Sequence, residues 1–107
     1  MIRMPAGTRI LIATEPCDMR KQHSGLAAVV RASTGCSPTH GRIYVFWNRR
    51  RDMLKILFRD AHGYCLLAKR LDSDTFKIAV GASSGRSSVE INQEDFAVLI
   101  SSLKISF

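Results

Sequence analysis

Three runs of β-prone residues follow one another with only short polar breaks: "RIYVFWN" (Arg42 to Asn48), "MLKILFR" (Met53 to Arg59) and "YCLLAKRL" (Tyr64 to Leu71). The breaks, "RRRD" and "DAHG", are four residues each and consist of turn-compatible residues. Runs of this length, joined this tightly, can only turn back on themselves, so the segment predicts a three-strand antiparallel meander. Side chains alternate between faces along a strand, and with Asn48 opposite Met53 the meander sorts by parity. One face collects Ile43, Val45, Trp47, Leu54, Ile56, Phe58, Cys65 and Leu67, which is a core face. The other collects Tyr44, Phe46, Lys55, Leu57, Arg59, Tyr64, Leu66, Ala68 and Arg70, which mixes aromatic, apolar and basic groups.

The rest of the chain frames this meander. "TRILIAT", Thr8 to Thr14, is continuous and β-prone around Ile10, Leu11 and Ile12, and predicts a short buried strand ended by Glu15 and Pro16. "DMRKQHSGLAAVVRAS" predicts a helix with Asp18 as its cap, and Met19, His23, Leu26 and Val30 recur on its inner face. Gly25 weakens that helix by about 1 kcal/mol relative to Ala. "TGCSPTHG" reads as loop. "DTFKIAV" predicts a further strand, "GASSGRSS" a flexible loop and "SVEI" a last short strand. In "NQEDFAVLISSL", Asn92 caps a closing helix whose Phe96, Leu99, Ile100 and Leu103 share a face. The fold class is α+β: a mainly antiparallel sheet built on the central meander, with two helices most simply packed on one face.

At 107 residues the chain is one domain, 1–107, with a single modest core. It is 46% hydrophobic and 23% charged, a globular composition. No apolar run approaches the roughly 18 residues that cross a bilayer, and the N-terminal stretch lacks a cleavage site, which together point to the cytoplasm. Cys17, Cys36 and Cys65 are widely spread and are expected as free thiols there.

The net charge of +7 is unevenly placed. Residues 42–70 carry Arg42, Arg49, Arg50, Arg51, Lys55, Arg59, Lys69 and Arg70 against only Asp52 and Asp60, a local net of +6, whereas residues 71–107 have a net of −2. Such asymmetry favours a polyanionic partner. Arginine and lysine neutralise phosphates and aromatic rings stack on bases, so the basic-aromatic face and the Arg49–Arg50–Arg51 tip are the candidate nucleic-acid contacts. The alternative for the face, that Tyr44, Phe46, Leu57 and Leu66 lie beneath a helix, stays open, because a sheet apolar on both sides is usually covered on both. The tip projects either way, since a hairpin end cannot bury three guanidinium groups without partners.

Catalytic signals are poor. The carboxylates include no recognisable metal-binding pair of the kind a two-metal nuclease needs. "CSPTH" places Cys36 near His40, but no second Cys/His pair completes a zinc site. No nucleophile has a visible histidine partner, and "GASSGRSS" lacks the lysine and strand-to-helix setting of a phosphate loop. The expectation is no catalytic residue, no metal and no cofactor.

Three blocks, "DMRK…GLAAVV", "IYVFWNRRRDMLKILFRD" and "GYCLLAKRL", resemble the short accessory transposition protein (TnpB type) of the insertion-sequence sixty-six family of bacterial mobile elements. The family motif maps onto Asp18, Met19, Arg20, Lys21, Gly25 and Leu26 in the first block, and onto Phe46, Asn48, Arg49, Arg50, Asp52, Lys55, Ile56, Leu57 and Asp60 in the second. In the third it maps onto Gly63, Cys65, Lys69, Arg70 and Leu71. The resemblance runs from about Pro5 to Phe76, roughly two thirds of the chain. This chain departs from the pattern at Arg59, where the family usually has an aromatic, at Gln22 and His23, and after Phe76, where "KIAV" replaces a Trp-Pro continuation. The resemblance implies a product that works beside a larger transposase, which holds the strand-cutting carboxylates. The sites expected to meet DNA are Arg49, Arg50, Arg51, Lys55, Arg59, Lys69 and Arg70. The expected partners are the DNA of the mobile element and its transposase, either together or with the transposase alone in a protein–protein adaptor role. No membrane is implied, and self-association is left open.

Overall fold

The computed structural model describes residues 7–34, 41–78 and 87–101. Its elements run β1 (Arg9–Ala13), α1 (His23–Thr34), β2 (Arg42–Trp47), β3 (Met53–Arg59), β4 (Tyr64–Arg70), β5 (Ser88–Ile91) and α2 (Gln93–Ser101). They form one five-stranded sheet in the order β4-β3-β2-β1-β5. The α+β reading holds, with one parallel pair: β1 runs parallel to β2, and α1 makes the crossover that such a pair requires. Every other pairing is antiparallel.

The meander register is the one parity dictates. Val45 faces Ile56, Trp47 faces Leu54, and the ladder closes with the Asn48 N–H on the Met53 carbonyl at 3.3 Å. On the next ladder Phe58 faces Cys65 and Ile56 faces Leu67.

The two helices lie on opposite faces of the sheet and not on one, and the reason is the sheet's composition. Both faces carry apolar side chains, and leaving either wet would forfeit about 25 cal/mol for each Å² of apolar surface exposed. Leu26, Ala27 and Val30 of α1 bury Tyr44, Phe46 and Leu57 on one side. Phe96 and Leu99 of α2, with Leu71, Phe76 and Ile78, cover Ile10, Ile12, Ile43, Val45, Trp47, Leu54 and Ile56 on the other. Leu67, on the same face by parity, stays 48% exposed because β4 is the edge strand.

Two further expectations are corrected. Helix α1 begins at His23 and not near Asp18, with the Gln22 carbonyl accepting the Leu26 N–H at 2.9 Å. Asp18 closes a tight turn of its own, accepting from the Arg20 N–H at 2.9 Å, and the Lys21 carbonyl that would extend the helix accepts the Lys55 ammonium. Gly25 fits this arrangement: a Cβ there would lie 3.3 Å from the Lys21 Cβ. The segment Asp74 to Ile78 is not a strand. Asp74 has φ of 72°, which turns the chain across the sheet end, where Phe76 and Ile78 enter the core.

The closing helix follows the sequence reading, with the Asn92 Oδ1 accepting from the Asp95 N–H at 2.7 Å. Residues 35–40 of the "TGCSPTHG" loop, residues 79–86 and Leu103 lie outside the described residues. Among the described residues no helix is long and apolar enough to cross a membrane.

Candidate nucleic-acid interface

The turn between β2 and β3 is held by Asn48. The Arg51 N–H donates to the Asn48 carbonyl at 2.9 Å, and the Asn48 Oδ1 accepts from the Asp52 and Met53 N–H groups, each at 3.1 Å. The Asn48 Nδ2 completes the clasp by donating to the Asp52 Oδ1 at 2.5 Å. Arg51, with φ of 60°, takes the left-handed conformation that returns the chain into β3. Two further bonds lash the tip to the chain beyond β4: the Leu71 N–H to the Asp52 carbonyl at 2.8 Å, and the Phe76 N–H to the Arg51 carbonyl at 2.7 Å. The backbone beneath the three arginines is therefore fixed, while their side chains are exposed.

The three guanidinium groups differ. Arg51 lies over the Trp47 ring at 5.4 Å, an attraction worth about 0.5–1 kcal/mol at an exposed site. Arg49 and Arg50 form no ion pair among the described residues. Arg70 joins them because the β3–β4 register sets it opposite Met53, with its guanidinium 3.5 Å from the Met53 Sδ and 3.9 Å from Asp52.

The other predicted contacts are placed elsewhere. Lys55 is buried at 4% exposure, and its Nζ donates to the Lys21 carbonyl at 2.8 Å. Lys69 donates to the Ile100 carbonyl, capping the last turn of α2. Arg59 stands at the far end of β3, about 20 Å along the strand from the tip, with its guanidinium 4.9 Å above Tyr64. Tyr44 and Phe46 lie beneath α1 and offer no ring for base stacking, and Tyr64, partly buried, carries the Arg59 guanidinium over its ring.

Sequence reasoning missed two neighbours of the tip. The segment before α1 is tied to the end of β2 by the Cys17 N–H on the Trp47 carbonyl at 2.8 Å, which brings the exposed Lys21 to this end of the sheet. The Phe76–Arg51 bond likewise brings Lys77, paired with Asp74 at 3.7 Å. Asp72 and Asp74 arrive with it, so the tip is a mixed surface in which cations outnumber carboxylates. No local pattern announces these neighbours, because non-local hydrogen bonds bring them there.

Three carboxylates are held ionised by donors. Hydrogen bonds from the Arg20 side chain, and then its backbone N–H, lower Asp18 to about 2. The Asn48 amide, and then the Arg70 charge, lowers Asp52, and the N–H groups of His62 and Gly63 lower Asp60. A carboxylate whose folded pKa lies below its unfolded value of about 4 contributes stability that is complete above that value and disappears as pH falls through the folded one. The melting temperature is therefore expected to drop on acidification below about pH 4, and an NMR titration should place the Asp18 midpoint at about 2. A midpoint near 4 for Asp18 would show that the Arg20 clasp is not formed.

Among the described residues no three His, Cys, Asp or Glu side chains converge as a metal-binding group. Cys17 and Cys65 are free thiols, both pushed up by burial, and Cys36 and His40 lie outside the described residues.

Comparison with known proteins places these features in a wider set. The family described as IS66 Orf2 like protein matches residues 8–106, a span that takes in the tail beyond Phe76. The uncharacterized protein y4jC of Sinorhizobium fredii is 34% identical over 103 residues, covering 96% of this chain and 86% of the relative. The uncharacterized protein y4hO of the same organism is 32% identical over 102 residues, covering 94% and 86%. No solved structure matches the chain.

Proposed function

Because the chain belongs to the IS66 Orf2-like family, whose members are implied to play an accessory role in transposition, we propose that it is a non-enzymatic factor that meets the DNA backbone of its insertion sequence through the β2–β3 tip. One observation carries this reading: Arg49 and Arg50 are exposed on a rigid turn, and neither is ion-paired among the described residues. Arg51 and Arg70 extend the contact, and Lys21 and Lys77 flank it. Lys55 and Lys69 serve the fold in this reading, and Arg59 is too far along the sheet to join the same contact. The protein acts in the cytoplasm beside the transposase, which supplies the strand cutting.

In this reading the guanidinium groups meet phosphates, so binding is expected to be salt-dependent and weakly sequence-selective. Anisotropy titration of a labelled element-end duplex and of a scrambled duplex of equal length tests this. Similar affinities, both falling steeply with salt, are the expected result. Absent or salt-insensitive binding to both duplexes would remove the reading.

A second reading has its own support. Asp52, Asp72 and Asp74 lie among the arginines, and a surface carrying both signs also suits a protein partner. In that case the tip docks on an acidic patch of the transposase without touching DNA. Co-purification with the transposase that survives nuclease treatment, together with no duplex binding, is the outcome that selects it.

A further inference from the structure

Among the described residues strand β4 ends the sheet, and the ladder that holds it fixes which of its backbone groups no described residue uses. The Asp60 N–H bonds the Gly63 carbonyl at 3.0 Å, and the Leu71 N–H bonds the Asp52 carbonyl at 2.8 Å. Gly63 and Leu71 therefore both turn their backbone groups toward β3. In an antiparallel ladder this direction alternates, so Cys65, Leu67 and Lys69 point inward with them. Tyr64, Leu66, Ala68 and Arg70 point their N–H and C=O groups outward, past the last strand.

An open edge of this kind is a template for another strand. Native edges are usually blunted by charge, but here the two cations, Lys69 and Arg70, are at one end only. Tyr64 to Ala68 are uncharged, and Asp60 lies just beyond Tyr64 in the turn. Leu67 and Ala68 at the middle are apolar and exposed, Leu67 at 48%.

We propose that β4 pairs antiparallel with β4 of a second copy, about a two-fold axis through Leu67. This register is selected by the strand itself. It sets Tyr64 opposite the partner's Arg70 and Leu66 opposite the partner's Ala68, so every outward residue meets an outward residue and the whole strand is used. Leu67 then meets the partner's Leu67 at a non-hydrogen-bonded position, where Cα atoms approach to about 4.5 Å and side chains pack closely. Charge also disfavours the parallel alternative. Each Lys69–Arg70 end lies against the Tyr64 end of the other copy, where the Arg59 guanidinium over the Tyr64 ring is offset by the nearby Asp60, whereas a parallel pair would stack each Lys69–Arg70 end directly on its own counterpart. The result is one continuous sheet through both copies, with the two arginine tips at opposite ends. This assembly stands independently of whether the tips meet DNA or protein.

The test is the molar mass of the nuclease-treated full chain by sedimentation equilibrium at about 100 µM, in about 0.5 M salt to screen bridging by residual polyanion. The wild type is expected at twice the mass of one chain. Leu67→Lys and Leu67→Glu each set like charges across the axis and should be monomeric, and their equimolar mixture should return to the dimer. Ala68→Pro removes an outward N–H that the monomer's own ladder does not use, and should give a folded monomer by circular dichroism. A monomeric wild type overturns the proposal, even if a transposase segment proves to occupy the edge. So does a dimer that survives any of these substitutions in a folded variant. Should the Leu67 variants fail to fold, the Ala68→Pro result decides alone.

Discussion

Replacing Lys55 with alanine is expected to cost about 2–4 kcal/mol of stability. Its Nζ is buried against the Lys21 carbonyl, and its aliphatic stem lies on the covered face beside Phe46. Alanine strands that carbonyl and empties the volume of the stem, two costs that add. Against a total stability of about 5–15 kcal/mol, the loss is large. Lys55→Met keeps the stem but not the donor, and should recover roughly half of it. Urea unfolding of the three proteins measures both terms. A surface lysine waiting for phosphate would behave differently, with alanine changing stability by no more than about 0.5 kcal/mol. That result would show that the Lys21–Lys55 bond does not hold the approach to α1.

The variant with Ala at both Arg49 and Arg50 should behave in the opposite way. Neither side chain packs on the core or forms an ion pair among the described residues, so its melting curve should overlay that of the wild type. Duplex affinity should fall roughly 100-fold at low salt, the loss expected of two charge-assisted phosphate contacts at about 1.4 kcal/mol each. The fall should be the same for element-end and scrambled duplexes, because backbone contacts carry no sequence information. Arg51 is better left in place, since its guanidinium also lies on Trp47 and its removal would mix a packing loss with a binding loss. A double variant that binds like the wild type would move the contact away from the tip.

The meander was legible down to its register because two four-residue turns and a strict two-residue period leave one way to pair the strands. The closing helix was equally legible through Asn92. What escaped was set by non-local contacts. Lys55 shares a face with Tyr44 and Phe46 by parity, but only the packing of α1 and its preceding turn decides that this face is dry. Asp74 to Ile78 has the composition of a strand, yet the left-handed Asp74 and the bond from Phe76 to the Arg51 carbonyl make it a strap over the sheet end. Asp18 has the chemistry of a helix cap, yet Arg20 claims it two residues later. Of the predicted contact residues, Arg49, Arg50, Arg51 and Arg70 converge, and that convergence was half visible, as a triplet in a turn. The contribution of Arg70 depended on the β3–β4 register.

The account depends on the exposed Arg49 and Arg50 guanidinium groups, which form no ion pair among the described residues, meeting an anionic backbone. Its most direct test is the slope of log binding constant against log salt for the wild type and for the Arg49→Ala, Arg50→Ala variant on one duplex. Each phosphate contact contributes about −0.9 to that slope, so the variant's slope should be shallower by about 2. Parallel lines for the two proteins would contradict the account, because the ions released on binding would then come from somewhere other than the tip.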